Sequence, residues 1–119
     1  MKVIDVLTLL NDHPAGSFLD FSPFNQHTFG TCDYTGLAPG WEVHPDTDEF
    51  FYVLSGRVEI TLLERDGPTR HVAPVGHSFV VPRGVWHRVG APNGARFIYF
   101  TPGKSLYSSS EDPRRDPTE

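Results

Sequence analysis

From about residue 27 onward, apolar and polar residues alternate in short stretches that Gly and Pro separate. In GRVEITLLE, residues 56–64, Val58, Ile60 and Leu62 share one face of an extended chain, and polar or charged residues share the other. The stretch FFYVL, residues 50–54, is apolar throughout, which is typical of a buried strand. Roughly eight short strands are predicted in this way, and Pro92-Asn93-Gly94 is predicted to separate the last two. The pattern predicts an all-β sandwich or barrel.

The two ends of the chain differ from this central pattern. Residues 2–11 could form one short helix that ends near Asn11 and Asp12, and residues 13–26 are irregular. We therefore predict an N-terminal arm over residues 1–26, a β-domain over residues 27–102 and a polar C-terminal tail over residues 103–119. The tail, GKSLYSSSEDPRRDPTE, has mixed charge, and we expect it to be loosely ordered unless a partner chain holds it.

Composition narrows the classes of function. The chain has 119 residues, which suffices for one core, and its net charge of −5 provides no basic surface for nucleic acid. No stretch approaches the ~20 apolar residues of a membrane span, and Asp5 interrupts the N-terminal apolar run that a signal peptide would need. We expect a cytoplasmic protein with no membrane partner. Cys32, the single cysteine, is predicted to be a small buried or half-buried side chain.

The candidate chemistry lies in two separate segments. Glu42 and His44 are two residues apart and point the same way on a strand, and Glu49 begins the apolar strand that follows. Much later in the chain, His87 shares its face with two valines, so it points into an apolar interior. A buried histidine alone is also typical of a hydrogen-bonded core residue. However, two inward carboxylates and two inward histidines need water or a shared cation, and a divalent metal ion binds both ligand types.

The spacing of these residues resembles that of the cupins, which are small jelly-roll proteins with a double-stranded β-helix barrel. Two glycine-bounded motifs carry the resemblance, and it spans about residues 28–102. The first is Gly36, five residues, Glu42-Val43-His44, four residues, Glu49, six residues, Gly56; the second is Gly76, five residues, Pro82-Arg83-Gly84, two residues, His87, three residues, Ala91. By position, the resemblance implies that His44, Glu49 and His87 are metal ligands.

The chain departs from the cupin pattern at two positions. Glu42 stands where the family has its first histidine, and Ala91 stands where it has an asparagine. Three interpretations of Glu42 follow. It is a fourth metal ligand, or a general base beside an open coordination position, or the sign of a site that has lost its metal. A set of two histidines and two glutamates is harder than three histidines and one glutamate, and it favours Mn²⁺, Fe²⁺ or Zn²⁺ over soft ions, with Ni²⁺ also to be tested.

A different grouping of the polar residues competes with this one. His44, Asp46 and His87 have the form of the two-histidine, one-carboxylate triad of iron oxygenases. Pro45 interrupts that strand, and no Arg or Lys is clearly placed for an oxoacid co-substrate, so we predict that Asp46 and Asp48 are exposed turn residues. His71 and His77 are predicted to be surface or turn residues, and His13 and His27 are given no role.

The resemblance implies several functions. A barrel that binds a divalent metal would serve a metal-dependent enzyme acting on a small organic molecule, of isomerase, dioxygenase or lyase type. The alternative is a small-ligand-binding module with a degenerate or metal-free site, and a storage or scaffold dimer is a third interpretation. A homodimer is expected because small cupins are often dimers. Four aromatic residues lie on the strand faces opposite to the candidate ligands: Trp41, Phe50, Tyr52 and Trp86. They either pack between sheets or form a patch that a second subunit covers.

Overall fold

The computed structural model describes residues 1–115, and more than half of them lie in antiparallel strands. In chain order, the elements are helix α1 (Val6–Asn11) and strands β1 (Phe18–Phe24), β2 (His27–Leu37), β3 (Trp41–Val43), β4 (Glu49–Glu64), β5 (Gly67–Pro74), β6 (Ser78–Val81), β7 (His87–Phe100) and β8 (Leu106–Ser108), followed by a 3₁₀ turn (Pro113–Arg115). The predicted all-β fold and its short N-terminal helix are confirmed. Within the described residues, no helix is both long and apolar enough to cross a membrane.

The two longest strands, β4 and β7, form the middle of a curled sheet. β7 pairs with β2, β3 and β4, while β4 also pairs with β5 and β6. The pairing of β7 with both of its long neighbours skips residues 92–94. Against β2, the paired residues jump from Ala95 to Ala91, and against β4 they jump from Ala95 to Gly90. The predicted break at Pro92-Asn93-Gly94 is therefore wrong. A bulge absorbs these residues, and the strand continues on either side of it.

The core lies inside the curl of the sheet, where the apolar faces of β2, β4 and β7 meet. Its buried members include Cys32, Val53, Val58 and Phe97, so the prediction of a buried Cys32 is confirmed. Trp41 and Trp86 belong to a second buried cluster, which Val43 and Leu63 complete. The packing interpretation therefore holds for these two tryptophans, whereas Tyr52 is exposed and Phe50 is half-buried.

The N-terminal residues contribute both a helix and a strand. Asp5 caps α1 by accepting a hydrogen bond from the Thr8 backbone N–H at 3.1 Å. Strand β1 then pairs with β2 from Phe18 to Phe24. The central sheet of the described chain therefore begins at Phe18.

The C-terminal tail is ordered as far as residue 115, contrary to the expectation of loose order. β8 pairs with β3 over all three residues of each strand. Pro113 is fully buried, and the Arg114 guanidinium donates to the backbone oxygen of Glu64 and pairs with Asp112. The tail is ordered because β3 has an open edge that β8 completes. The part of this expectation that concerns residues 116–119 lies outside the described residues.

Candidate metal centre

Three strands place the predicted site residues around one point. Glu42 lies directly opposite His87, because β3 pairs with the start of β7 at this position. His44 follows the end of β3, and Glu49 begins β4 after a short turn. The turn at Gly84 is tied to the first segment, since its backbone N–H donates to the His44 carbonyl at 2.9 Å. The two motifs are therefore held together by backbone contacts as well as by their side chains.

The four side chains converge closely. One oxygen of Glu49, Oε1, lies 3.1 Å from His44 Nε2 and 3.2 Å from His87 Nε2. An oxygen of Glu42 lies 3.7 Å and 3.5 Å from the same two nitrogens. One ligand atom from each of the four residues lies within 4.8 Å of all the others. His44, Glu49 and His87 are buried, whereas Glu42 is about one-quarter exposed, with a side-chain exposure of 27%.

The far sides of both imidazole rings are occupied by oxygen acceptors. His87 Nδ1 lies 3.0 Å from the Val85 carbonyl oxygen, which can only accept, so Nδ1 carries a proton. His44 Nδ1 lies 3.0 Å from the Ser105 hydroxyl and 3.4 Å from the Lys104 carbonyl oxygen. In the neutral rings, both Nε2 atoms then present lone pairs toward the same carboxylate oxygen. A lone pair beside a carboxylate is repulsive unless a proton or a metal ion lies between them.

The charges of the site are strongly coupled. Burial alone would raise the pKa of Glu49, but hydrogen bonds from His44, His87 and Thr101 outweigh it and lower the pKa to about 2. Burial would lower the pKa of His87, but the Glu42 and Glu49 carboxylates outweigh it and raise the pKa to about 9. In the absence of metal, the site therefore keeps its carboxylate ionised and holds a proton on His87. Positive charge is required at this point, and a divalent cation supplies more of it than a proton does.

The donor set fits a metal ion of the first transition row. For metal–ligand distances of about 2.1 Å, neighbouring donors lie about 3.0 Å apart in an octahedral site and about 3.4 Å apart in a tetrahedral one. The four histidine–carboxylate distances range from 3.1 to 3.7 Å, and all the ligand atoms lie within 4.8 Å of one another. Thr101 donates to the other oxygen of Glu49 at 2.6 Å, so the carboxylate is oriented from outside the cluster. Two imidazole nitrogens and two carboxylate oxygens thus form a cluster that is able to bind a divalent metal.

The cluster lies in the wall of a cavity of about 760 Å³. Several aromatic side chains line this cavity, among them Phe51, Phe97, Tyr34 and Tyr99, and Tyr107 and Ser105 border it from the C-terminal segment. A site of this size, mostly apolar and with a few converging polar groups, is typical of a pocket for a small organic molecule.

The family of the chain is shown by a comparison with protein-family models, in which the cupin domain model matches residues 33–104. The chain belongs to the cupin family. No curated protein is detectably similar in sequence to this cupin. Solved structures, in contrast, share its fold. A cupin-2 domain containing protein from Shewanella frigidimarina NCIMB 400 is 26% identical, with a TM-score of 0.70 over 82% of this chain and 89% of that one.

Two further structures share the fold at lower identity. Protein NMB1881 from Neisseria meningitidis is 20% identical, with a TM-score of 0.70 over 82% of this cupin and 96% of that protein. Hydroquinone 1,2-dioxygenase from Sphingomonas sp. TTNP3, with 4-hydroxybenzoate bound, is 18% identical, with a TM-score of 0.65 over 83% of this cupin and 78% of that enzyme. The double-stranded β-helix predicted from the two motifs is therefore confirmed as the fold.

The other polar residues of this cupin lie away from the cluster. Asp46 and Asp48 are exposed, and Asp48 accepts a hydrogen bond from the Arg83 backbone at 2.9 Å. Asp46 therefore does not join His44 and His87, and the rival triad is not supported. The four remaining histidines, His13, His27, His71 and His77, are exposed. A surface position was predicted for His71 and His77.

Several residues that border the site were not predicted from the sequence. Thr101 and Ser105 contact ligand side chains, yet each is separated from its partner by more than fifty residues of chain. Arg88 also borders the cavity, with its guanidinium carbon 4.3 Å from the centre of the Trp41 ring. Strand alternation placed Arg88 on the face away from His87, yet both residues border the cavity, and Arg88 donates to the Gly40 carbonyl oxygen at 3.4 Å. Phe51 borders the cavity, and the Phe79 ring stacks on it with a distance of 4.8 Å between ring centres.

Proposed function

We propose that this cupin binds one divalent metal ion through Glu42, His44, Glu49 and His87 and acts as a metal-dependent enzyme on a small organic molecule. The observation that carries the proposal is the convergence of two histidine nitrogens on one buried carboxylate oxygen in the wall of an apolar cavity. Two neutral rings cannot both face that oxygen favourably without a cation between them. Without a metal ion, only the proton on His87 offsets this repulsion, and a divalent cation supplies more positive charge at the same point.

The donor set indicates the class of metal. Imidazole nitrogens together with carboxylate oxygens suit Mn²⁺, Fe²⁺, Zn²⁺ and Ni²⁺, whereas soft ions prefer sulfur ligands. When bound, such an ion supplies a Lewis acid that polarises an oxygen of the substrate. The protein residues orient the ligands: Thr101 holds Glu49, and the Val85 carbonyl holds His87. The charges of Glu42 and Glu49 balance that of a divalent ion, so the site with metal is close to neutral.

The cavity indicates the class of substrate. Its aromatic lining favours a flat, largely apolar molecule, and the metal cluster favours an oxygen donor on that molecule. Phenols and hydroxybenzoates combine both features. The hydroxybenzoate in the structurally similar dioxygenase is a reason to include them first in a ligand panel. The cavity and the donor set do not choose among isomerase, dioxygenase and lyase reactions, so the panel should be assayed for each.

Elemental analysis of protein purified without chelator tests the metal site directly. We expect close to one metal ion per chain, lost in His87→Ala and strongly reduced in His44→Ala. His71→Ala is the matched control, because His71 is exposed and lies outside the cluster. If the wild-type protein remains metal-free after incubation with Mn²⁺, Fe²⁺, Ni²⁺ and Zn²⁺, the proposed function is wrong. The alternative of a metal-free ligand-binding module would then stand.

Activity separates an enzyme from a binding module that contains metal. The metal-loaded protein is incubated aerobically with the phenol panel, while oxygen consumption and product formation are measured. We expect turnover that is lost in His87→Ala and retained in His71→Ala. Ligand-induced thermal stabilisation without any turnover would instead favour the non-catalytic module.

A further inference from the structure

The C-terminal segment over residues 104–115 borders the metal cluster although it lies almost entirely beyond the matched cupin domain, which ends at residue 104. Ser105 and Tyr107 line the cavity, and Tyr107 lies directly opposite Glu42 in the pairing of β8 with β3. Two contacts hold the segment against the rest of the domain. β8 extends the sheet at β3, and the Arg114 guanidinium donates to the backbone oxygen of Glu64.

The contact between Ser105 and His44 is the most specific feature of this segment. The Ser105 hydroxyl lies 3.0 Å from His44 Nδ1, and the Lys104 carbonyl oxygen lies 3.4 Å from the same nitrogen. A carbonyl oxygen can only accept, so the arrangement favours the tautomer with a proton on Nδ1. That proton is then shared between the hydroxyl and the carbonyl, and the lone pair remains on Nε2. Nε2 is the atom that faces Glu49 at 3.1 Å.

The two histidines depend on different parts of the chain for this orientation. The acceptor for His87 Nδ1 is the carbonyl of Val85, only two residues earlier. The acceptors for His44 lie sixty and sixty-one residues away, in the C-terminal segment. The geometry of His87 is therefore set by its local backbone. In contrast, that of His44 requires the segment to be docked on β3.

We propose that Ser105 is a positioning residue for the metal centre: its hydroxyl accepts the Nδ1 proton of His44 and directs Nε2 toward the metal. The docked C-terminal segment is thus a functional part of the site. This inference rests on the proposed metal-binding function. Groups that orient a metal-bound histidine in this way contribute about 10- to 100-fold to metal affinity.

Metal affinity in matched serine variants tests the inference. Dissociation constants for Zn²⁺ and Co²⁺ are measured by competition with a chromogenic chelator, and the visible absorption of bound Co²⁺ reports the ligand geometry. We expect Ser105→Ala to bind about 10- to 100-fold more weakly, with an altered Co²⁺ spectrum. Ser105→Thr, which keeps the hydroxyl, should restore both. Ser110→Ala, in the same segment but outside the cavity lining, is the matched control and should match wild type.

The outcomes separate the two proposals. If wild type binds neither Zn²⁺ nor Co²⁺, the proposed function is wrong and the role of Ser105 is overturned with it. If wild type binds metal and Ser105→Ala binds within twofold of it with an unchanged spectrum, only the role of Ser105 is overturned. Should Ser105→Ala fail to fold, proton–nitrogen NMR of Zn²⁺-loaded wild type decides. A proton on His44 Nδ1 supports the inference, and a metal-bound Nδ1 overturns it.

Discussion

At the scale of single residues, Glu42 is the position where this chain departs most from the cupin motif. Its carboxylate lies 3.5 and 3.7 Å from the two histidine nitrogens, and it is more exposed to the cavity than the other three residues of the cluster. As a ligand, it supplies charge that an amide cannot. We therefore expect Glu42→Gln to weaken Zn²⁺ or Mn²⁺ binding at least tenfold in calorimetric titrations. Glu59→Gln, which alters an exposed ion pair with Arg70, is the control.

The same variant separates the two functional interpretations of Glu42. If Glu42→Gln binds metal as tightly as wild type but has lost turnover, the role of ligand is contradicted. Glu42 would then act as a general base beside an open coordination position. Glu42 pairs with His87 on one neighbouring strand and with Tyr107 on the other, and it also lines the cavity. It can therefore reach either the metal or a bound substrate.

The raised pKa of His87 predicts how the metal-free protein responds to pH. The pKa of about 9 in the folded protein exceeds the ordinary value of 6.5, because Glu42 and Glu49 favour the charged ring. This proton therefore stabilises the folded state fully below about pH 6.5, and the contribution is lost as the pH rises through 9. Urea unfolding of chelator-treated protein should show stability falling over this range. Saturating Zn²⁺ should remove the decline, since the ion takes the place of the proton.

A variant lacking the imidazole provides the control for this pH dependence. In His87→Gln, the metal-free protein is expected to be less stable at pH 6 and to lose little more between pH 6.5 and 9. An equally steep decline in this variant would assign the effect to a different group.

At the scale of elements, the sequence predicts those features that follow from alternation and turn chemistry. The inward direction of His87 follows from its place between Val85 and Val89. The glycines of the second motif, Gly76 and Gly84, lie at turns, as turn chemistry predicts, whereas Gly36 and Gly56 lie within β2 and β4. β8 could not be predicted in the same way. Its three residues have no alternation, and the strand forms because β3 offers a distant open edge. The link from Ser105 to His44 depends on that pairing, so it was missed for the same reason.

Gly56 illustrates how a motif residue fixes an element. Its φ is +73°, and an added Cβ would meet the backbone oxygen of Gly94 on β7. Gly76 has a similar φ of +80° but faces open space. We expect Gly76→Ala to cost roughly 1–2 kcal/mol of unfolding free energy for its left-handed backbone. Gly56→Ala should cost about 1–3 kcal/mol more because β4 and β7 must separate.

Urea denaturation of the two alanine variants tests this difference. Both variants introduce the same side chain at a left-handed backbone position, so the comparison isolates the close approach of β4 to β7. Equal losses of stability in the two variants would show that the sheet can widen at Gly56 without cost.

At the scale of the whole molecule, the cluster connects parts of the chain that are far apart in sequence. Its ligands come from β3, the start of β4 and the start of β7, while the C-terminal segment supports His44. The cupin resemblance implied three of these residues as ligands, His44, Glu49 and His87, and it placed Glu42 at the position of the family's first histidine, because the two motif frames fix their relative positions. It could not predict the surroundings of these ligands, because the motifs assign no role to Arg88 on β7 and do not reach Thr101, just after β7, or Tyr107 on β8.

A metal ion bound by three separate strands should stabilise the entire fold. An ion present at 100 times its dissociation constant adds about 2.7 kcal/mol to the free energy of unfolding. For a domain of this size, that corresponds to roughly 10 °C in melting temperature. We therefore expect a chelator to lower the melting temperature of wild type by about this amount, as measured by calorimetry. His71→Ala should show the same decrease and His87→Ala almost none. An equal decrease in His87→Ala would mean that the stabilising ion binds elsewhere, because this variant lacks one of the buried ligands that join the strands through the metal.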